Sequence, residues 1–151
     1  MASGLYNSFK SGLMKKVFNL DATDVINIAL MNNSYPAAFS AGTGTVWSDI
    51  STYEISASAP TVGYSTGGQA IVCSVDGTTS TAKFKTTGTD GLGNATWSTA
   101  TITAYGAVLY DVTASNRLIA WIDFGGAQSS SLGNFTVSWA GGASEVIVSI
   151  T

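Results

Sequence analysis

The stretch ATITAYGAVLYDVTASNRLIAWIDF, residues Ala100–Phe124, decides the fold. Strand side chains alternate between two faces with a period of two residues. On that rule Thr101–Tyr110 and Arg117–Phe124 are two strands joined by a short polar loop. Ile102, Ala104, Val108 and Tyr110 share one face of the first strand. Leu118, Ala120, Ile122 and Phe124 share one face of the second, while Tyr105, Leu109, Ile119 and Trp121 fill the opposite faces. Strands apolar on both faces are usually covered on both. The pattern therefore predicts a hairpin in the middle of the core, and it carries no evident catalytic group.

Outward from the hairpin, the same alternation marks further strands. Toward the C-terminus, GGAQSSSLG (Gly125–Gly133) reads as a flexible polar connection. Phe135, Val137 and Trp139 then give a half-buried strand, and Ser144–Ile150 the last one, with Val146, Val148 and Ile150 inward. Toward the N-terminus, Thr87–Asn94 is a glycine-rich loop. Gln69–Val75 and Ser80–Thr86 flank an Asp76-Gly77 turn signal. In the return strand Ala82, Phe84 and Thr86 face in, and Lys83 and Lys85 face out. Asp24–Met31 is a strand with Ile26, Ile28 and Leu30 on one face, and Tyr53–Ala57 an edge strand. Val46–Ile50 is a short helical turn, and Asn32–Gly44 and Ser58–Gly68 are long loops. Residues 3–17 form the single helix, with Leu5, Phe9, Leu13 and Val17 recurring every four residues, Ser3 as N-cap and Lys10, Lys15 and Lys16 late. The expected architecture is mainly β: one domain, residues 1–151, an antiparallel β-sandwich or jelly roll of about eight strands with one N-terminal α-helix.

Composition narrows the function. Only 10% of the 151 residues are charged, against roughly 25% in a typical soluble domain. The polar surface comes from 20 serines, 19 threonines and 17 glycines. A net charge of −3 argues against a nucleic-acid binder. No apolar run approaches the roughly 20 residues of a membrane-spanning helix. Lys10, Lys15 and Lys16 follow apolar residues instead of preceding them, unlike a secretory signal, and three lysines are too few for firm membrane attachment.

Chemistry has few footholds. The chain has no histidine, so the usual general base and the commonest metal ligand are missing. Cys73, in phase with Ile71 and Val75, reads as a small buried hydrophobe. Asp90 alone in its loop is too little for a hard cation. Asp21 and Asp24 read as corner caps, Asp111 and Asp123 as well separated, and Asp49 with Glu54 as the one nearby carboxylate pair. No catalytic, metal or cofactor residues are expected. Trp139 reads as core, and Trp121 as cover for the second face of the hairpin, under the helix or in an interface. Trp47 and Trp97, beside loops, are the better exposed contacts.

Taken together, LYNSFKSGLMKKVFNLDATDVINIALMN (5–32), WSDISTYEIS (47–56), GYSTGGQAI (63–71), ATWSTATITAYGAVLYD (95–111) and LIAWIDFGGAQSSSLGNFTVSWA (118–140) resemble a family of small virion structural proteins of tailed bacteriophages. The chain departs from that family at Tyr105-Gly106, where Arg-Tyr is common, a departure expected to alter a surface contact. The resemblance implies a non-enzymatic capsid decoration or cement protein, made in the host cytoplasm and seated on the outer capsid surface. The implied partners are the major capsid protein and further copies of the chain itself, three around an axis being one arrangement, with no nucleic acid, membrane or cofactor. A tail, baseplate or fibre component is the alternative, and a carbohydrate-binding module a more distant one. The expected contact residues are Leu5, Phe9, Leu13, Tyr35, Phe39, Trp47, Tyr64 and Trp97.

Overall fold

The hairpin is longer than its apolar segment. The computed structural model describes residues 3–20, 23–37, 44–55, 61–77, 82–86, 94–139 and 145–150. In chain order these give β1 (Gly4–Leu5), α1 (Asn7–Met14), β2 (Ile26–Met31), 3₁₀ turns at Trp47–Asp49 and Ser51–Tyr53, β3 (Gln69–Ile71), β4 (Cys73–Asp76), β5 (Ala82–Thr86), β6 (Ala95–Asp111), β7 (Arg117–Val137) and β8 (Glu145–Ile150). Two antiparallel sheets result, one of five strands in the order β1-β7-β6-β2-β3 and one of three, β4-β5-β8. The mainly β sandwich with one N-terminal helix is thus the observed architecture. Gly125–Gly133, expected as a connection, is instead the middle of β7, and Phe135–Val137 is its end.

Irregular pairing lets the two long strands bend. Ala104 lies opposite Gln128 and Gly106 opposite Asp123, so β7 makes an excursion between these pairs. Gly125, at φ 74, adopts a conformation costly for any residue with a Cβ. Bulges reverse which face a side chain occupies. Ile102 and Ala104 therefore join the core between the sheets, whereas Val108 and Tyr110 belong to a second core on the other side of the five-stranded sheet. Ala107 and Leu109 take over toward the first core. The expected common face of Ile102, Ala104, Val108 and Tyr110 is split for this reason.

The first core joins the sheets through Ile26, Ile28 and Leu30 of β2, Trp97 and Leu109 of β6, and Cys73 and Phe84 of the smaller sheet. The second core packs Ala29, Met31, Val108, Leu118 and Trp121 against Tyr6, Tyr35 and Ile50. The central hairpin is covered on both faces, as its sequence requires. β3 and β4 are one apolar run that changes sheets at exposed Val72. Tyr53–Ala57 is not an edge strand where described: Ser51–Tyr53 is a 3₁₀ turn and Glu54 makes one bridge to Met31.

The N-terminal segment is a strand before it is a helix. Gly4 and Leu5 pair with Trp121 and Ala120, so the helix is Asn7–Met14 and not 3–17. Tyr6 occupies the N-cap position, but its side chain does not cap the helix. Ser3 instead accepts a hydrogen bond on Oγ from the Asp123 N–H at 2.9 Å. The sheet edge at β7 recruits the first residues more strongly than helix propensity holds them.

Candidate interaction surface

The end of α1 turns back on itself. Val17 N–H donates to Gly12 O at 3.0 Å and Lys16 N–H to Leu13 O at 3.3 Å. Those two bonds, with Lys16 at φ 55, are a Schellman closure carrying a lysine where glycine is usual. The reversal brings Phe18 under the helix, edge-on to Phe9 with ring centres 5.0 Å apart. Gly12 permits it: a Cβ there would meet the Phe18 ring at 2.5 Å. Lys15 and Lys16 consequently lie beyond the helix, and only Lys10 is within it.

An open groove of about 380 Å³ lies between this corner and the smaller sheet. Phe9, Leu13, Phe18 and Leu20 line one wall, and Val75, Lys83, Phe84 and Val148 the other. Val75 in its wall is 43% exposed, and Met14, next in sequence to lining Leu13, is 82% exposed. Its lining is more apolar than that of the concavity around Asp123 and Phe135 or the one around Tyr105 and Trp121.

The expected contact residues fall in different places. Leu13 lines the groove. Phe9 is core, 1% exposed, and meets the groove only as its floor. Leu5 is half-buried in β1. Tyr35 is buried, its hydroxyl bonded to that of Tyr6 and its ring 4.9 Å from Trp121. Trp97 is buried between Tyr64 and Phe135, because β6 begins at Ala95 and carries it inward. Trp47 is half-buried, stacked on Tyr110 at 4.7 Å. Phe39 lies outside the described residues. Tyr35, Tyr64 and Trp97 are thus interior side chains and not free contacts: the segments carrying Tyr35 and Tyr64 fold back onto the sheet, and Trp97 lies on β6 itself.

Tyr64 belongs to a polar clamp. Its hydroxyl donates to Glu54 Oε1 at 2.6 Å and accepts from the Leu30 N–H at 3.0 Å. Gly67 N–H also donates to Glu54 Oε1 at 2.6 Å, and the Tyr110 hydroxyl donates to Gly67 O at 2.8 Å. Gly68, at φ 73, passes so close to β2 that a Cβ would lie 2.8 Å from Ala29 Cα. Burial raises the Glu54 pKa, opposed by these hydrogen bonds.

Three further carboxylates among the described residues are likewise engaged. Asp49 Oδ2 accepts from the N–H groups of Thr45 and Val46 at 3.0 and 3.2 Å, and these bonds hold its pKa down. Asp24 Oδ2 accepts from Asn19 N–H at 2.6 Å. Asp111 is fully buried, its Oδ1 accepting from Ala114 N–H at 2.9 Å. Burial, with the adjoining Asp24 carboxyl, raises its pKa to about 6 against the Ala114 bond. The Asp24–Asp111 contact was not legible, since the sequence gives no sign that the corner before β2 meets the end of β6. Burial pushes the Cys73 thiol up to about 12. Among the described residues no three metal-ligating side chains converge, and no helix is long and apolar enough to cross a membrane.

The groove walls come from residues 9–20, from Val75 and residues 82–84, and from Val148, which no motif links. Only the lysine pairs at 15–16 and 83–85 hinted at them. Comparisons of the chain with protein-family models, curated proteins and solved structures gave no match.

Proposed function

We propose that the chain is a structural subunit of a tailed-phage virion, and that it acts as a capsid decoration protein bridging major capsid subunits. The observation that carries this reading is the groove beside α1, an open apolar surface on a subunit with little charge elsewhere to recruit partners. Folded subunits that bind a lattice are stabilised by it through mass action. Neutral hydroxyl pairs on the β6–β7 ribbon, Thr96 with Thr136 at 3.1 Å and Thr103 with Ser129 at 2.9 Å, give an exposed surface suited to packing without charge repulsion. The carboxylates that would serve a hydrolase instead hold loops and turns.

Copy number tests the reading. Quantitative mass spectrometry of purified particles should find the chain at a fixed ratio to the major capsid protein, in hundreds of copies. A handful of copies, comparable to baseplate proteins, would overturn the decoration role in favour of a tail location.

A further inference from the structure

We infer that a second concavity, between the end of β2 and the β6–β7 ribbon, binds a neutral sugar ring through hydrogen bonds to its hydroxyls and stacking on Tyr105. This ligand goes beyond the virion reading above and does not depend on it. The concavity is open and about 300 Å³ in volume, at the small end of the range for small-molecule sites. Asn32 and Asn33 border it just after β2, Tyr105 from β6, and Trp121 and Asp123 from β7. Gly125, at φ 74, and Gly126, at φ 157, complete the lining, and a Cβ at either would meet no atom within 4 Å. The excursion of β7 thus borders open space beside Asp123. Trp121 supplies the observation that calls for a ligand. It lines the concavity and is 4% exposed, and its indole N–H has no hydrogen-bond partner among the described residues. A buried donor without an acceptor is costly and rare.

Hydrogen-bonding chemistry selects the class of ligand. Asn32 Oδ1 accepts from the Ser34 N–H at 2.8 Å, which leaves its NH₂ group as a donor. Exposed Asn33 brings both a donor and an acceptor. Asp123 brings a carboxylate, whose Oδ1 accepts from the Gly125 N–H at 3.1 Å. Donors and acceptors therefore stand together around the concavity. An anion only accepts and is repelled by Asp123, and no lysine or arginine among the described residues lines the site. An ammonium ion only donates, so the Trp121 N–H and the asparagine NH₂ groups stay unanswered. An ammonium ion also wants open ring faces, whereas Tyr35 and Trp121 are buried against each other with ring centres 4.9 Å apart. Sugar hydroxyls donate and accept at once. The apolar face of a sugar ring suits an aromatic ring, and Tyr105 is the one half-buried aromatic of the three. A concave site with a few convergent polar groups and one available ring is the arrangement that orients such a ligand.

The test titrates the whole isotope-labelled chain with maltose, cellobiose, lactose and diacetylchitobiose, and separately with choline and inorganic phosphate. The readout is the indole N–H resonance of Trp121, assigned through its own backbone amide. At least one disaccharide should move that resonance saturably, with a Kd of about 1–10 mM. Choline and phosphate should leave it in place. Tyr105→Ala and Asn33→Ala, each with an unchanged melting temperature, should weaken binding about fivefold or more. Should Tyr105→Ala misfold, Asn33→Ala carries the comparison. No saturable shift with any of the four sugars at about 50 mM would overturn the inference. So would binding of choline or phosphate alone, or undiminished binding by the folded variants. The copy-number measurement above decides the virion role without touching this titration, so each reading can fail alone.

Discussion

The ring of Trp121 lies against Gly106 on the neighbouring strand, in the space a side chain at Gly106 would need. A Cβ there would come within 2.5 Å of Trp121 Cζ2 and of Ile122 O. The second core thereby gains a large indole, 4% exposed and packed on Tyr35. Tyr105-Gly106, which reads in the sequence as a surface departure, has its glycine inside the protein.

Gly106→Ala should therefore destabilise the fold by about 2–3 kcal/mol, the cost of overpacking a site walled partly by backbone. Trp121→Leu alone opens a cavity and also destabilises. The double variant should lose less than the sum of the two, a coupling of about 1 kcal/mol or more between residues in direct contact. Urea denaturation of the four proteins measures this. Strict additivity would mean that the indole is not what excludes a side chain at 106.

The Asp24–Asp111 contact gives stability a definite dependence on pH. Asp111 titrates near 6 when folded and near 3.8 when free. The folded state binds the proton more tightly, so this contribution is fully present below about pH 4 and is lost as pH rises through 6. Asp111→Asn, which stays neutral, should be more stable than wild type by about 2 kcal/mol at pH 7.5 and equal to it at pH 4. Melting temperatures across that range check the sign. A variant less stable at pH 7.5 would contradict it.

Tyr64→Phe keeps the ring and removes both bonds of the hydroxyl. It should cost about 2–3 kcal/mol, since one partner is a half-buried carboxylate and the other the Leu30 N–H inside the sheet. Loss of the donor should also raise the Glu54 pKa further, which a carboxyl NMR titration reads. An unmoved Glu54 would show that the hydroxyl does not hold that carboxylate.

Cys73 should be inert in the folded protein. Its thiol is buried and pushed up to about 12, leaving little thiolate at pH 8. A disulfide reagent should label it only in denaturant. Rapid labelling of native protein would place it at the surface.

The period-two pattern located the central hairpin because both its faces are apolar, and it marked β2, where Ile26, Ile28 and Leu30 face one core and Ala29 and Met31 the other. It stopped short on β7 because Gly125–Gly133 is polar and glycine-rich, the composition of a loop. That segment is a strand only because its backbone finds partners on β6. The expected helix began too early, since Leu5 fits a four-residue repeat equally well as a helical or a strand residue. The apolar character of Leu13 and Phe9 was legible, but the groove they border was not. It is made by a chain reversal at Lys16 and by strands some 60 to 130 residues away. Tyr35 and Tyr64 sit in loops yet are buried, because these loops pack onto the sheet, and Trp97 is buried because β6 begins before it.

The most direct measurement of the central claim is a density map of the intact particle at side-chain resolution. The account predicts this fold on the outer shell in lattice-wide copies, with the groove between α1 and β5 turned toward the major capsid protein. A map that places the chain only in the tail, or leaves it absent from the particle, would contradict it.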